Sequence, residues 1–123
     1  MATITVIIGE SPYSRERIYS MLRFTLAALS EGHRVNLFAF EDALFAAKKG
    51  QKPPEFPGTM DEHMPNCEVL LKSAIRQGVV VKLCGVCAAE RGVAAPELID
   101  GVEIGSMRDL VQWVLESDKS VSF

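Results

Sequence analysis

The chain has 123 residues, of which 48% are hydrophobic and 24% are charged, and its formal net charge is -3. This balance excludes intrinsic disorder, which combines low hydrophobicity with a high net charge. A chain of this size is expected to form one domain, here residues 1–123, and to bury a core without the help of disulfides. Lys and Arg residues form no block along the sequence, so we expect no nucleic-acid partner.

The start of the chain and its cysteines predict a cellular location. The apolar run at residues 4–8 follows Met1 almost directly and is much shorter than the apolar region of a signal peptide. No stretch approaches the roughly 18 apolar residues of a membrane helix, so we expect no membrane partner. The cysteines number three, an odd count that indicates reduced thiols. We therefore expect a cytoplasmic protein.

Short β-branched runs alternate with amphipathic segments along the first half of the chain. Residues 4–8 are almost entirely apolar, which is typical of a strand buried on both faces of a parallel sheet. Ser11 and Pro12 predict the N-cap and the first residue of a long helix. Residues 35–40 predict a second strand, and residues 41–49 predict a short helix.

Residues 51–65 predict a loop, because their prolines remove backbone donors and fix the backbone. A loop of about 15 residues is uncommon inside a domain and is often functional. The loop contains three large apolar residues, Phe56, Met60 and Met64. Their spacing follows neither a helical nor a strand period. We expect these side chains to pack against a partner subunit.

The second half of the chain continues the alternation of strands and helices. Asn66 predicts the N-cap of a helix, and residues 79–83 form the clearest strand pattern in the chain. A short helix is predicted at residues 85–90, and residues 102–104 predict a brief strand.

The last predicted elements are a helix and a strand. Ser106 and Asp109 resemble a capping box with Asp in place of Glu, so a helix is expected to begin there. The residues predicted to face inward from this helix are Met107, Leu110, Val111 and Val114. Residues 119–123 predict a final strand. Five strands with helices between them predict an α/β fold, a three-layer α/β/α sandwich with a mainly parallel five-stranded sheet.

The group of residues best suited to chemistry is Cys84-Gly85-Val86-Cys87. Cys84 falls at the carboxyl end of the third predicted strand, and open α/β sheets bind ligands at that edge. Unpaired N–H groups in the first turn of the following helix favour a thiolate, which makes the sulfur nucleophilic. Gly85 is expected to leave room for a second sulfur or a substrate near the backbone.

Three other interpretations of the cysteines stay open. Cys84 and Cys87 are compatible with small buried hydrophobic residues, and a Cys-x-x-Cys motif is also typical of thioredoxin-like redox pairs. The third interpretation is a zinc site, because one His and three Cys form a tetrahedral ligand set. The residues of that set are His63, Cys67, Cys84 and Cys87.

The segment VKLCGVCAAERGV at residues 81–93 resembles the cysteine segment of the DsrE/DsrF-like family, which includes the TusD-like sulfur-relay proteins. The tail is similar as well, beginning with GVEIGSMRDLVQW at residues 101–113 and continuing to Phe123. The front end is also similar, since a helix ending in Ser-Glu-Gly-His at residues 30–33 precedes the strand at residues 35–40. The resemblance therefore covers nearly the whole chain.

The resemblance implies that Cys84, eight residues before Gly92, accepts sulfane sulfur as a persulfide and passes it on. The protein would then be a sulfurtransferase or sulfur carrier that needs no cofactor and has sulfur donor and acceptor proteins as partners. In this interpretation Cys87 is a secondary thiol, either resolving or silent, and Gly85 and Val86 supply the backbone of the site. The resemblance also implies assembly into homotrimers or homohexamers. The alternative from another class is an oligomeric scaffold or binding protein without turnover.

Overall fold

The computed structural model describes residues 1–53 and 66–123, and all the strands and helices given below lie within these two ranges. The strands are β1 (Thr3–Ile8), β2 (Arg34–Ala39), β3 (Val80–Cys84), β4 (Val102–Gly105) and β5 (Lys119–Ser122). The α-helices are α1 (Arg17–Ser30), α2 (Cys67–Arg76), α3 (Gly85–Glu90) and α4 (Met107–Glu116), and two 3₁₀ segments span Glu41–Ala47 and Ala95–Glu97. No helix within the two described ranges is long and apolar enough to cross a membrane.

The apolar residues predicted to contact a partner subunit, Phe56, Met60 and Met64, lie outside the described residues.

The strands form one sheet in the order β4-β3-β2-β1-β5, and every neighbouring pair is parallel. Val6, Leu37 and Val81 pair in a row across the three central strands, and each is at most 1% exposed. Strands of this kind are buried because helices cover both faces of a parallel sheet. The predicted three-layer α/β/α fold is confirmed, and the sheet is entirely parallel.

Helices lie on the two faces of the sheet. Helix α1 packs against α2 and against strands β1 and β2. On the other face, Trp113 of α4 packs edge-on against Phe38 of β2, with ring centroids 6.4 Å apart. Successive residues of a strand point to opposite faces, so Phe38 and its neighbour Leu37 contact different helix layers.

Helix α1 begins later in the chain than Ser11 and Pro12 predict, so this part of the prediction is wrong. Tyr13 has a left-handed backbone conformation with a φ of 70°, through which a helix cannot continue. Its hydroxyl donates a hydrogen bond to Gln51 Oε1 at 2.6 Å and accepts one from the Cys67 N–H at 3.0 Å. These contacts with distant parts of the chain hold the segment in a turn and override the local signal for a helix start.

Two helix starts are as predicted. Asn66 Oδ1 accepts a hydrogen bond from the Val69 N–H at 3.1 Å at the start of α2. The carboxylate of Asp109 accepts one from the Ser106 N–H at 2.8 Å at the start of α4. This bond and the charge of Lys82 lower the pKa of Asp109. Each cap satisfies a backbone donor that the start of a helix leaves unpaired.

The face that α4 turns to the sheet differs from the predicted one. Leu110 and Trp113 pack against the core. The other three residues predicted to face inward are Met107, Val111 and Val114. Their side chains are between 38% and 59% exposed, so the prediction is wrong for these three. Apolar side chains occupy two adjacent faces of α4, and for this reason periodicity alone does not determine which face meets the sheet.

Candidate functional site

Cys84 is the last residue of β3 and the N-cap of α3, so it lies at the carboxyl end of the sheet, as predicted. It is only 4% exposed. Its side chain accepts no hydrogen bond from the first turn of α3, in contrast to the predicted contact with that helix. Parallel pairing places Cys84 beside Gly105, the last residue of β4. The thiol therefore occupies the junction of two strand ends and a helix start.

A cavity of about 600 Å³ borders this thiol. It lies among the carboxyl ends of β2, β3 and β4 and the beginnings of α3 and α4. The residues that line it include Phe40, Cys84, Val86, Cys87, Gly105 and Met107. Cavities of about 300–1,000 Å³ hold small molecules. The buried thiol thus borders a space that a reactant can enter.

Cys87 lies at the third position of α3 and lines the same cavity, at 8% exposure. Its Sγ accepts a hydrogen bond from the backbone N–H of Glu41 at 3.0 Å. Burial, followed by the neighbouring Cys84 thiol, raises the pKa of Cys87. The Glu41 N–H and the charge of Arg91 act in the opposite direction. The net result is a thiol that stays protonated at neutral pH.

Glu41, which donates this hydrogen bond, has an unusual backbone conformation. Its φ of 52° is left-handed, and that conformation costs a residue with a Cβ about 1–2 kcal/mol. The residue opens the 3₁₀ segment Glu41–Ala47 directly after β2. Such a conformation persists only where the surrounding structure determines it. The amide is therefore held toward Cys87 by the packing of the 3₁₀ segment.

Arg91 links α3 to that 3₁₀ segment. Its Nε donates a hydrogen bond to Asp42 Oδ1 at 2.7 Å, and its Nη1 donates one to the carbonyl oxygen of Cys87 at 3.2 Å. The hydrogen bond to Asp42 raises the pKa of Arg91, so the guanidinium keeps its charge. These contacts tie the segment that donates to Cys87 Sγ to the helix that carries Cys87.

Gly85 and Val86 stand between the two cysteines and have different surroundings. A Cβ added at Gly85 would lie 3.0 Å from Ile104 Cγ2, so the space beside this glycine is occupied by β4. Gly85 lets β4 approach α3 closely, and it also lines the cavity beside Cys84. Val86 is 68% exposed and lies at the outer edge of the cavity.

The predicted zinc ligands do not come together in the described part of the chain. His63 lies outside the described residues. Within residues 1–53 and 66–123, no three His, Cys, Asp or Glu side chains form a group that could hold a metal ion. Cys67 is buried at the start of α2, where burial raises the pKa of its thiol. All three cysteines are free thiols within the core, and Cys84 and Cys87 line the cavity whereas Cys67 does not.

A second cavity of about 600 Å³ has no cysteine among the residues that line it. It lies between α2 and the turn before β4, with Lys72, Arg76 and Ile99 in its lining. The sequence carries no motif for this cavity, because its residues come from three separate segments. The two cavities have the same volume of about 600 Å³, but only the cavity beside Cys84 is lined by two thiols.

Comparisons with known proteins give matches along the whole chain. The model of the DsrE/DsrF-like family matches residues 2–123. An uncharacterised protein of Methanopyrus kandleri is 47% identical over 98% of this chain and 93% of its own length. An uncharacterised protein of Methanocaldococcus jannaschii is also 47% identical, over 97% of both chains. Protein YchN of Escherichia coli is 35% identical over 100% of both chains.

Solved structures match the fold in the same way. The crystal structure of YchN from Escherichia coli has a TM-score of 0.88 and covers 100% of both chains at 35% identity. A protein of unknown function from Methanobacterium thermoautotrophicum has a TM-score of 0.79 over 100% of both chains at 12% identity, which is a likeness of fold alone.

Proposed function

The chain belongs to the DsrE/DsrF-like family, as its cysteine segment predicts, and we propose that it is a sulfur-handling protein in which Cys84 accepts sulfane sulfur as a persulfide and passes it on. The observation that carries the proposal is the placement of Cys84, whose free thiol ends β3 and borders a cavity of about 600 Å³. Cys87 contributes a second free thiol to the same cavity. Free thiols persist in a reducing compartment, so the cytoplasm is the proposed location.

The proposed reaction transfers one sulfur atom between thiols and needs no cofactor. The Cys84 thiolate attacks the outer sulfur of a donor persulfide, so that a new sulfur–sulfur bond forms and the bond to the donor's inner sulfur breaks. The donor leaves as a thiolate with the electron pair of the broken bond. An acceptor thiolate then attacks the outer sulfur on Cys84 in the same way and frees the Cys84 thiolate. This chemistry describes a sulfurtransferase or a sulfur carrier.

The burial of Cys84 limits which molecules can serve as donor and acceptor. Because the residue is 4% exposed, a donor has to extend its sulfur into the cavity. The exposed residues that line the cavity include two apolar side chains, Val86 at 68% and Met107 at 49% exposure, beside the polar residues Glu41, Glu90 and Ser106. Exposed apolar side chains around a cavity favour contact with another protein. The proposed partners are therefore donor and acceptor proteins that present sulfur on a protruding segment.

Intact-mass spectrometry after incubation with a low-molecular-weight organic persulfide tests this function. In spectra taken directly after loading, the wild-type protein is expected to show a gain of one sulfur atom, and Cys84→Ala is expected to lose that gain. Cys67→Ala is the matched control, because Cys67 is also a buried free thiol but does not line the cavity. An equal gain of sulfur by Cys84→Ala and the wild type removes Cys84 from the mechanism.

The proposal includes assembly with copies of the same chain, as homotrimers or homohexamers. Its support in the structure is the apolar surface of α4, where Val111, Val114 and Leu115 are 59%, 38% and 75% exposed. Light scattering is expected to give a lower mass for Leu115→Lys than for the wild type. Glu31→Lys, at the exposed end of α1, is the control and leaves the mass unchanged. A wild-type protein that is monomeric contradicts the assembly.

A scaffold or binding protein without turnover is the second candidate, and the nearly complete burial of Cys84 and Cys87 favours it. The two candidates differ in the reactivity of Cys84 in the native state. Iodoacetamide is expected to alkylate Cys84 in a sulfur carrier and to leave it unmodified in a scaffold. Alkylation of the urea-unfolded protein, in which all thiols are accessible, is the control.

A further inference from the structure

Cys87 differs from a cysteine that only fills space, because its sulfur has a hydrogen-bond donor of its own. The Glu41 N–H reaches Cys87 Sγ at 3.0 Å from a position 46 residues away in the chain. Glu41 has a left-handed φ of 52° at this contact. A packing cysteine behaves as a small hydrophobic residue and needs no such donor. A hydrogen bond of this kind favours the ionised sulfur over the thiol.

A positive charge lies beside Cys87 as well. Arg91 donates a hydrogen bond to the carbonyl oxygen of Cys87 at 3.2 Å and is itself held by Asp42. Its charge lowers the pKa of Cys87, but burial and the Cys84 thiol raise that pKa more strongly. The resting thiol is protonated, and the thiolate that forms from it has an amide donor and the Arg91 guanidinium nearby. That guanidinium is paired with Asp42 and Glu90, and Glu41 and Glu90 line the same cavity as Cys87. Cys87 therefore becomes a better nucleophile as the pH rises.

The spacing of the two thiols suits a disulfide. Cys84 is the N-cap of α3 and Cys87 is its third residue. Residues three apart on a helix have Cβ atoms about 5–6 Å apart, and a disulfide brings Cβ atoms to about 3.5–4.5 Å. From that helical spacing a disulfide requires the two Cβ atoms to approach by about 1–2 Å, and disulfide oxidoreductases use the same Cys-x-x-Cys spacing. The two side chains already interact, since the Cys84 thiol contributes to the raised pKa of Cys87.

We propose that Cys87 resolves the persulfide on Cys84 and releases its outer sulfur as sulfide, an inference that rests on the proposed function. The Cys87 thiolate attacks Cys84 Sγ, so that a Cys84–Cys87 disulfide forms and the bond to the outer sulfur breaks. The outer sulfur leaves as hydrosulfide with the electron pair of that bond, and the proton of Cys87 passes to the solvent. The sulfane sulfur is reduced by two electrons and the two cysteines are oxidised. A dithiol reductant then restores both thiols.

The experiment separates loading of the sulfur from its release. The reduced protein is loaded with a low-molecular-weight organic persulfide, freed of reagent by gel filtration, and followed by intact mass and a sulfide electrode. The wild type is expected to release one equivalent of sulfide and to end two hydrogen masses below the reduced protein. Cys87→Ser is expected to load equally and to keep its sulfur, with release slowed about tenfold or more. Release from the wild type accelerates as the pH rises toward the raised pKa of Cys87.

Each outcome bears on one step. Cys67→Ser is the matched control and is expected to load and release like the wild type, because Cys67 lies on α2 and does not line the cavity. Equal release from Cys87→Ser and the wild type overturns the resolving role and leaves the proposed function intact, whereas failure of the wild type to load overturns both. A second arm uses no persulfide: glutathione disulfide is expected to produce a Cys84–Cys87 disulfide, detected by peptide mapping. Its absence from the treated, folded wild type also overturns the inference.

Discussion

Replacing Tyr13 with phenylalanine tests how the turn after β1 is held against α2. The Tyr13 hydroxyl donates a hydrogen bond to Gln51 Oε1 at 2.6 Å and accepts one from the Cys67 N–H at 3.0 Å. Phenylalanine keeps the aromatic ring and loses both hydrogen bonds. The Cys67 N–H belongs to the first turn of α2, whose donors have no partner within the helix. Tyr13→Phe therefore removes the hydroxyl that satisfies this donor and leaves the packing of the ring unchanged.

The contacts give the size of the effect. A hydrogen bond contributes about 0.5–1.5 kcal/mol, so losing two is expected to lower the free energy of unfolding by about 1–3 kcal/mol. Tyr19→Phe is the matched control, because the charge of Arg23 lies over the Tyr19 ring, 5.4 Å from its centroid, and phenylalanine keeps that contact. Its expected change is less than about 0.5 kcal/mol. Urea unfolding measures both variants against the wild type.

The pH dependence provides a second measurement on the same variant. Burial raises the pKa of Tyr13 to about 12, whereas an unfolded tyrosine ionises near pH 10. The stabilisation from Tyr13 is therefore fully present below about pH 10 and is lost as the pH rises toward 12, because the unfolded state loses its proton first. Tyr13→Phe is expected to lose less stability than the wild type over this range. Equal unfolding energies for Tyr13→Phe and Tyr19→Phe, with identical alkaline profiles, would refute this reasoning.

Three further predictions concern other parts of the fold. Gly101→Ala is expected to lower the free energy of unfolding by about 2 kcal/mol, and Gly32→Ala by about 1 kcal/mol. Both glycines have a left-handed φ, but only at Gly101 would a Cβ meet another side chain, Ile75 at 2.7 Å. Equal losses of stability in urea unfolding would contradict this close contact. Trp113→Ala is expected to cost about 3 kcal/mol in the same assay, because it removes the ring that covers one face of the sheet, and a loss below about 1 kcal/mol would contradict that packing. Asp109→Asn is expected to lose less stability than the wild type when the pH falls below about 4, because it lacks this carboxylate. The pKa of Asp109 is lowered by a backbone N–H at the start of α4, so its stabilisation is present above about pH 4 and lost below it, and an unchanged acid unfolding curve would contradict this.

Much of the fold can be predicted because its signals are local. The pattern at residues 79–83 predicts the third strand, which is observed as Val80–Cys84, because this largely apolar run lies between Gly78 and Gly85. The caps at Asn66 and Ser106 are predictable because a capping side chain and the helix turn that it caps are only three residues apart. Contacts of this range are visible in the sequence itself.

Features that depend on distant residues could not be predicted. The turn at Tyr13 is determined by partners 38 and 54 residues further along the chain, and no local pattern reports them. The face of α4 that meets the sheet is determined by where Phe38 receives Trp113, since apolar residues are available on more than one face of the helix. In both cases tertiary contacts select among conformations that the local sequence permits.

In the candidate site, too, some features follow from the local sequence and others depend on distant residues. The place of Cys84 follows from the end of the third strand, and the place of Cys87 follows from helical spacing. The hydrogen bond to Cys87 Sγ comes from a backbone N–H of Glu41, so no side-chain type in the sequence could signal it. The close approach of Ile104 to the place that a Cβ at Gly85 would take depends on the register of β4 against β3, which is known only from the structure.

Locating the bound sulfur on the peptide chain tests most directly whether Cys84 is the sulfur-carrying residue. Cys87→Ser, which is expected to retain the persulfide, is loaded with an organic persulfide, alkylated with iodoacetamide, digested and analysed by tandem mass spectrometry. We predict the extra sulfur on the peptide that contains Cys84 and none on the peptide that contains Cys67. Extra sulfur on Cys67, or none on either cysteine in the folded protein, would contradict the proposed role of Cys84.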